Sequence, residues 1–132
     1  MPTRFGYELL RDHVLPNILG PHENDILYWS GKEIARKFPV FSVDELPSFF
    51  TEAGWGVLTI DKILKTEVFY TLKQDRKLLN IESRTFNLEA GFIAEQYQKI
   101  NGLLTECFGE IQEKRTDPHV QFHVKWDSKT KV

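Results

Sequence analysis

The N-terminal part of the chain carries apolar residues at the spacing of an α-helix. Residues 5–18 predict a first helix, and Pro16 should stop or kink it because proline has no N–H to donate. Residues 26–38 predict a second helix, with Asn24 or Asp25 as its N-cap. Apolar positions in this second helix recur at intervals of three and four, so they share one face. These residues are Leu27, Gly31, Ile34 and Phe38.

Two further helices are predicted later in the chain. Ser42 and Glu45 fit a capping box at the start of a short helix within residues 42–54, which Gly54 is expected to end. A fourth helix is predicted from a cap near Asn87 to Gly102. Its apolar stripe is Ile93, Tyr97, Ile100 and Leu104.

Two glycines lie inside predicted helices, where each costs about 1 kcal/mol relative to alanine. Gly31 is in the second helix, and Gly91 is in the fourth, beside Ala90. Small residues let two backbones approach closely, so we expect the second and fourth helices to cross near these glycines. The alternative is that each glycine leaves room for a ligand.

β-branched and aromatic residues dominate four other segments. Residues 56–64 and 67–73 predict an antiparallel pair joined through Lys65 and Thr66. Residues 105–114 and the alternating stretch 119–126 predict a second hairpin.

The remaining segments are expected to be less regular. Gly109 is a candidate β-bulge in the second hairpin, and residues 114–118 supply its turn. Residues 75–83 have no clean period and predict a loop, while 127–132 predict a frayed tail. The whole pattern predicts a single α+β domain over residues 1–132, with an antiparallel sheet of about four strands packed against about four helices.

The composition fits one domain with an aromatic-rich core. The chain has 132 residues, of which 41% are hydrophobic and 13% are aromatic. A chain of this length buries roughly 65–70% of the surface that it exposes when unfolded, so it can hold a core without disulfides. The rings could line a pocket, but core packing accounts for them more simply.

Charge and cysteine content exclude several classes of protein. A formal net charge of −2 argues against a nucleic-acid binder, which usually shows a basic surplus. No apolar run is long enough to span a membrane, and the N-terminus does not resemble a signal peptide. The single cysteine, Cys107, rules out an internal disulfide and fits a reducing compartment. We therefore expect a cytoplasmic protein.

The last predicted strand raises the question of a metal site, because it carries His119 and His123. On a strand these residues share a face but lie about 13 Å apart, at roughly 3.3 Å per residue. Metal–imidazole bonds are far too short for both rings to bind one ion. A solvated or interface face of a sheet is the favoured interpretation, and we expect neither a metal site nor a cofactor.

Recognisable catalytic motifs are absent from the sequence. Cys107 lies in a predicted strand with no adjacent positive charge, unlike a reactive thiolate. The Gly-Trp-Gly of residues 54–56 is too short to be a phosphate-binding loop. Glu106, Glu110 and Glu113 are better explained as charges on an exposed strand than as a general acid–base set. These features favour a protein that is not an enzyme.

Three motifs carry a resemblance to a known superfamily. They are EAGWGVL at residues 52–58, LEAGFIAEQY at 88–97 and DPHVQF at 117–122. Their order and spacing over residues 5–126 resemble the vinyl-reductase-type ligand-binding domains, which share their fold with TRAPP vesicle-tethering subunits. More specifically, the chain resembles the small bacterial YslB-like family, whose members have no established function.

The resemblance implies an α+β fold that tends to form homodimers. Relatives hold small aromatic or lipid-like molecules in an apolar chamber between helices and sheet, whereas others are scaffold subunits. Metal-binding members carry two cysteines in the last hairpin, but the matching positions here are Val120 and one near Gln112. Thr116 replaces their turn glycine, and Cys107 lies at neither cysteine position. The zinc site of those members is therefore not expected.

Two functions from different classes follow. The first is a non-enzymatic domain that binds a small apolar or aromatic ligand, as a homodimer, in a well-formed pocket. The residues expected to line that pocket are Trp29, Phe50, Trp55, Phe92 and Tyr97. The alternative is a protein–protein interaction or scaffold domain without a ligand, which predicts a large exposed apolar patch.

Overall fold

Helices cover one face of a four-stranded antiparallel sheet in the computed structural model, which describes residues 3–74, 84–112 and 118–132. This architecture confirms the α+β fold class expected from the sequence. The predicted loop at 75–83 and most of the predicted turn, residues 114–117, lie outside the described part of the chain.

The N-terminal helical segment has three consecutive parts. Helices α1 (Arg4–Glu8) and α2 (Leu15–Leu19) are α-helical, and the stretch Leu9–Val14 between them is a π-helix. Pro16 does not stop this segment, contrary to one of the two outcomes expected from the sequence. Pro16 lies in the first turn of α2, directly after the π-helical stretch, and the helical path continues through it to Leu19.

Helix α3 (Glu23–Lys37) is the longest helix before the sheet. It begins earlier than predicted, so the proposed caps Asn24 and Asp25 lie inside its first turn and His22 takes the N-cap position. Both candidates are common capping residues, and residue type alone does not decide which position the chain uses.

Helix α4 (Leu46–Glu52) follows a capping box that the sequence predicted correctly. The Glu45 Oε2 atom accepts a hydrogen bond from the Ser42 N–H at 2.7 Å, and the Ser42 side chain accepts one from the Asp44 N–H at 3.2 Å. Gly54 ends this region with a φ of 74°, a conformation that costs glycine little.

The sheet contains two hairpins, as predicted. Strands β1 (Val57–Ile63) and β2 (Glu67–Lys73) form the first, and β3 (Leu103–Gln112) and β4 (His119–Lys131) form the second. The strand order is β1-β2-β4-β3, so β2 and β4 are central and β3 is an edge strand. All neighbouring strands are antiparallel.

Two predictions about the sheet are wrong. Gly109 is not a bulge: it pairs in register with Phe122, and a Cβ on Gly109 would lie 2.8 Å from that ring. The glycine therefore makes room for the Phe122 ring. Residues 127–132 are not a frayed tail, because β4 continues to Lys131 and the Val132 N–H donates to the Gly102 carbonyl at 3.0 Å.

Helix α5 (Asn87–Asn101) lies between the sheet and α3. Every residue from Glu89 to Tyr97 is buried, so α5 has neighbours on all sides rather than one apolar stripe. The predicted stripe is partly wrong: Ile100 is 41% exposed, and Leu104 belongs to β3 and is 46% exposed. The helix ends at Gly102 as predicted, with a φ of 70°.

Helices α3 and α5 cross at the two glycines, as the sequence predicted. A Cβ on Gly31 would lie 2.0 Å from the Leu88 carbonyl oxygen, and one on Gly91 would lie 2.0 Å from the Tyr28 carbonyl oxygen. No other residue fits there without moving a backbone. This contact fixes α3 against the central helix and leaves its opposite face outward.

Candidate functional site

A cleft lies between the N-terminal helical segment and the corner where α4 leads into β1. Its volume is about 840 Å³, and most of its lining is apolar. Tyr7 and Leu10 form part of one wall, while Ala53 and Val57 form part of the other. The end of β2 closes the cleft with Lys73 and Gln74.

The Gly-Trp-Gly motif builds this corner. Gly54 and Gly56 line the cleft with φ values of 74° and 128°, and a Cβ on Gly56 would lie 2.6 Å from the Lys73 carbonyl oxygen. Trp55, between them, turns its side chain into the core and is 5% exposed. The Gln74 side-chain amide donates to the Trp55 carbonyl at 2.7 Å, which ties the corner to the end of β2.

Three of the five residues predicted to line a pocket meet beneath this corner. The ring centroids of Phe50 and Trp55 are 5.0 Å apart, those of Trp55 and Phe92 are 5.4 Å apart, and those of Phe50 and Phe92 are 6.1 Å apart. Phe50 and Phe92 have no exposed surface. Phe49 stacks on Phe92 at 4.3 Å, so these rings form a close-packed aromatic cluster.

Tyr97 lies farther along α5, in a second buried group. Its hydroxyl is hydrogen-bonded to that of Tyr70, and Trp126 stacks on its ring at 5.8 Å. Burial raises the pKa of the Tyr70 hydroxyl, and its hydrogen bond with Tyr97 raises it further. Burial also raises the pKa of Tyr97, so both phenols are neutral near pH 7.

Trp29 is separate from the other four predicted residues. It lies on the outward face of α3 and is 73% exposed. The structure therefore brings Phe50, Trp55 and Phe92 together, places Tyr97 nearby on α5, and leaves Trp29 at the surface. Contact of these five residues with a ligand stays a prediction.

A buried network of charged side chains joins the N-terminal segment to α5 and was not predicted from the sequence. Arg11 donates to Glu89 Oε1 at 2.6 Å and to the Tyr7 hydroxyl at 2.7 Å. Arg84 pairs with Asp12 through contacts of 2.5 Å and 2.6 Å. The four charged side chains are 3% exposed or less, and their formal charges cancel.

The electrostatics of this network keep Arg11 charged. Burial alone would lower the pKa of its guanidinium, but the charge and hydrogen bond of Glu89 raise that pKa overall. Burial raises the pKa of Tyr7, which also lines the cleft. Tyr7 therefore connects the cleft to the ion pairs behind it.

The sequence gives only a faint signal for this network. Arg11 and Asp12 are adjacent charges in a helix rich in leucine, which hints that they are not on a purely solvated face. Their partners lie 78 and 72 positions away, too far for any local pattern to identify them. The π-helical stretch Leu9–Val14 contains both residues, and π-helical turns are often found at functional sites.

The strand with the two histidines contributes to the core. Val120, Phe122 and Val124 are fully buried, as its alternating pattern predicted. On the other face, His123 stacks on Phe69 at 4.3 Å, and its Nε2 lies 2.7 Å from Glu67 Oε1. The imidazole thus has structural neighbours. Within the described ranges, no three potential metal-ligating side chains come together.

Cys107 is buried on the inner face of β3. Burial raises the pKa of its thiol, so the reactive thiolate is disfavoured. Its backbone N–H donates to the Tyr28 hydroxyl at 3.3 Å, and burial raises the pKa of Tyr28 to about 12. Cys107 therefore acts as a small packing residue.

Among the residues that the structure describes, none of the helices combines the length and the hydropathy needed to cross a bilayer.

Comparison with known sequences identifies a family. The sequence model described as "Protein of unknown function (DUF2507)" matches residues 4–125. "Uncharacterized protein YslB" of Bacillus subtilis (strain 168) is 44% identical over 131 residues, which cover 97% of this chain and 87% of that protein. The YslB-like resemblance inferred from the three motifs is therefore confirmed.

Solved structures share the fold at low sequence identity. A vinyl-4-reductase family protein from Methanocaldococcus jannaschii has a TM-score of 0.64 and 19% identity, over 77% of this chain and 68% of that one. A trafficking protein particle complex subunit 3 from Naegleria fowleri, covalently bound to palmitic acid, has a TM-score of 0.51 and 12% identity. The match covers 97% of this chain and 92% of that subunit. A mutant H-NOX protein of T. tengcongensis has a TM-score of 0.53 and 15% identity, and the match covers 89% of this chain and 69% of that one.

Proposed function

The chain belongs to the DUF2507 family, and we propose that it is a non-enzymatic domain that binds a small apolar or aromatic ligand and acts as a homodimer. The cleft between the N-terminal segment and the Gly-Trp-Gly corner carries the ligand part of the proposal. Its volume of about 840 Å³ lies within the usual range of roughly 300–1,000 Å³ for small-molecule sites. Its mainly apolar walls favour a ligand with little charge.

The architecture around the cleft supports a preformed site. The close-packed rings of Phe50, Trp55 and Phe92 form a rigid layer under the corner. The Arg11–Glu89 pair fixes the opposite wall by attaching the N-terminal segment to α5. A site whose walls are already ordered loses less conformational entropy when a ligand binds.

The structural neighbours support an apolar ligand by analogy of fold. The Naegleria subunit was solved with palmitic acid attached, and two of the other structural neighbours concern a haem. The side chains that line the cleft described here do not suit a haem. They include no imidazole, thiol or thioether to bind the iron, and the Tyr7 hydroxyl is kept neutral by burial and accepts a hydrogen bond from Arg11. The proposal is therefore limited to an organic ligand.

Two features outside the cleft also support a non-enzymatic role in the cytoplasm. The thiol of Cys107 is buried and protonated, and the histidines of β4 lie on the face of the sheet opposite to the buried core face. A free thiol in a chain without disulfides suits a reducing compartment.

Occupation of the cleft can be tested with native mass spectrometry and a fluorescent probe. Protein purified without detergent is expected to retain a small molecule, and protein stripped of it should bind 1-anilinonaphthalene-8-sulfonate saturably. Leu10→Trp places a large ring in the cleft and should weaken probe binding by about tenfold or more.

A matched variant controls for a general effect of an added indole. Ile18→Trp changes another residue of the same helical segment, one that is 70% exposed and does not line the cleft, and should bind the probe as the wild type does. Unchanged probe binding by Leu10→Trp, with the fold intact by circular dichroism, would contradict the assignment of the cleft.

An interaction or scaffold domain without a ligand is the second candidate. Large exposed apolar side chains favour it, among them Phe41 at 96% and Trp29 at 73% exposure. Under this alternative, no small molecule would be retained and the probe would not bind saturably, but the protein would still self-associate or bind another chain.

A further inference from the structure

The outward face of α3 combines an exposed aromatic ring with an ordered arrangement of charge. We propose that this face, defined by Asp25, Ile26, Trp29, Glu33 and Lys37, is the surface on which a second copy of the chain docks, with the two α3 helices antiparallel. The inference rests on the homodimer part of the proposed function and adds the surface and the orientation.

Trp29 is the apolar centre of this surface. Its indole is 73% exposed and stands between two depressions. One, of about 590 Å³, follows α3 itself along Ile26 and Ile34, and the other, of about 380 Å³, lies between α3 and β3 beside Leu104 and Phe108. A projecting ring beside a groove on the same surface is self-complementary, since each copy offers the ring that the other can receive.

The exposed apolar neighbours extend this centre. Ile26 is 40% exposed, Leu104 is 46% exposed and Phe108 is 55% exposed. Tryptophan is among the residues that most often dominate interface energies when apolar contacts surround it.

The charges on α3 select the orientation. Its first turn carries Glu23 and Asp25, and its last turn carries Arg36 and Lys37. The two ends are about 18 Å apart, at 1.5 Å per residue. Antiparallel docking places each acidic end opposite the basic end of the other copy, whereas parallel docking would oppose like charges. A two-fold axis therefore pairs Asp25 of one copy with Lys37 of the other.

The edge strand beside this surface is less suited to self-pairing. The outward N–H groups of Thr105 and Cys107 already donate to Gln98 Oε1 at 3.2 Å and to the Tyr28 hydroxyl at 3.3 Å. Antiparallel pairing of β3 with its own copy around Phe108 would also oppose acidic side chains, those of Glu106 and Glu110. A helix face is therefore favoured over a continuous sheet between two copies.

Sedimentation velocity of the full chain over a range of concentrations tests the surface. The wild type is expected to form a dimer. Trp29→Ala should raise the dissociation constant of that dimer by about 30-fold or more, the effect expected for loss of an aromatic anchor. Phe41→Ala is the matched control, because Phe41 is 96% exposed but lies outside the α3 face.

Charge exchange tests the orientation. Asp25→Lys and Lys37→Asp should each weaken self-association by about tenfold or more, because each opposes like charges at both ends of the interface. A mixture of the two variants should form heterodimers, and the double variant D25K/K37D should dimerise with itself. In a parallel dimer, the mixture of the two variants would also pair opposite charges, but the double variant would oppose like charges. Association in both experiments is therefore expected only for the antiparallel orientation.

The outcomes separate this inference from the proposed function. A wild type that stays monomeric at high micromolar concentration overturns both the homodimer and this surface, while ligand binding in the cleft is judged by its own experiment. A wild-type dimer that Trp29→Ala leaves intact overturns only the surface. Failure of the mixed variants to associate, with each still folded, overturns the antiparallel orientation.

Discussion

Arg11 and Glu89 form an ion pair that has almost no contact with water. Their side chains are 3% and 0% exposed, and the Arg11 guanidinium also donates to the Thr85 carbonyl and the Tyr7 hydroxyl. Charges removed from water are tolerated only when partners replace the lost hydration. Glu89 Oε2 is buried without a hydrogen-bond partner among the described residues. Loss of either member of the pair would therefore leave the other as an uncompensated buried charge.

Replacement of Glu89 by glutamine should destabilise the protein strongly. The change leaves the Arg11 charge buried without its counter-ion, which typically costs about 3–5 kcal/mol of unfolding free energy. Urea denaturation followed by circular dichroism measures this loss. The double variant R11M/E89L, which removes both charges, is expected to be more stable than Glu89→Gln.

An exposed pair on α3 provides the comparison. Glu33 contacts Arg36 at 2.7 Å, but their side chains are 58% and 50% exposed. Glu33→Gln should therefore cost less than about 1 kcal/mol. Equal losses for the Glu33 and Glu89 variants would show that burial of the Arg11 pair has no energetic consequence.

At the scale of elements, helices α3 and α5 cross in close backbone contact. Gly31 and Gly91 each face the backbone of the other helix, where an added Cβ would lie 2.0 Å from the carbonyl oxygen of Leu88 or Tyr28. An alanine would favour either helix by about 1 kcal/mol in isolation. The tertiary contact overrides this propensity, because relief of the clash requires movement of a whole helix.

We expect Gly31→Ala and Gly91→Ala each to lower the unfolding free energy by about 1–3 kcal/mol, the usual cost of overpacking. Thermal and urea unfolding measure the effect. Ser30→Ala, one position away on α3, is the control and should change stability by about 0.5 kcal/mol or less. A stabilising Gly31→Ala would mean that the two helices separate easily and that the glycines serve another purpose.

At the scale of the whole molecule, burial of tyrosine makes stability depend on alkaline pH. Burial raises the pKa of all four tyrosines, to about 12 for Tyr28, and also raises that of Cys107. In the unfolded chain phenols ionise near pH 10 and thiols near pH 8.5, as in model peptides. The unfolded state therefore releases its protons at lower pH than the folded state does.

Stability should consequently be fully present below about pH 8 and fall as the pH rises through 10 toward 12. Each phenol that ionises only in the unfolded state contributes a slope of up to about 1.4 kcal/mol per pH unit. Urea unfolding at a series of alkaline pH values measures the slope. The double variant Y70F/Y97F keeps the two rings and should show a smaller slope, and an identical slope would contradict this assignment.

Local sequence patterns predicted only some properties of the residues at the candidate site. The Gly-Trp-Gly corner was visible in the sequence as a motif, and Trp55 was predicted to line a ligand pocket, which stays a prediction. The sequence could not show that Phe50 and Phe92 pack against it without a gap, nor that Trp29 points outward. Residue type and spacing indicate that a side chain is apolar, but only the neighbouring elements decide whether it lines a cavity, fills the core or stays exposed.

The sequence by itself determined the features that depend on neighbouring residues. These include both hairpins, the capping box before α4, the end of α5 at Gly102 and the need for a close approach at Gly31. Tertiary structure alone decided the Arg11–Glu89 network, the continuation of β4 through 127–131 and the cleft. Each of these depends on residues that are distant in the chain and become neighbours only when helices and sheet pack, so no local periodicity can encode them.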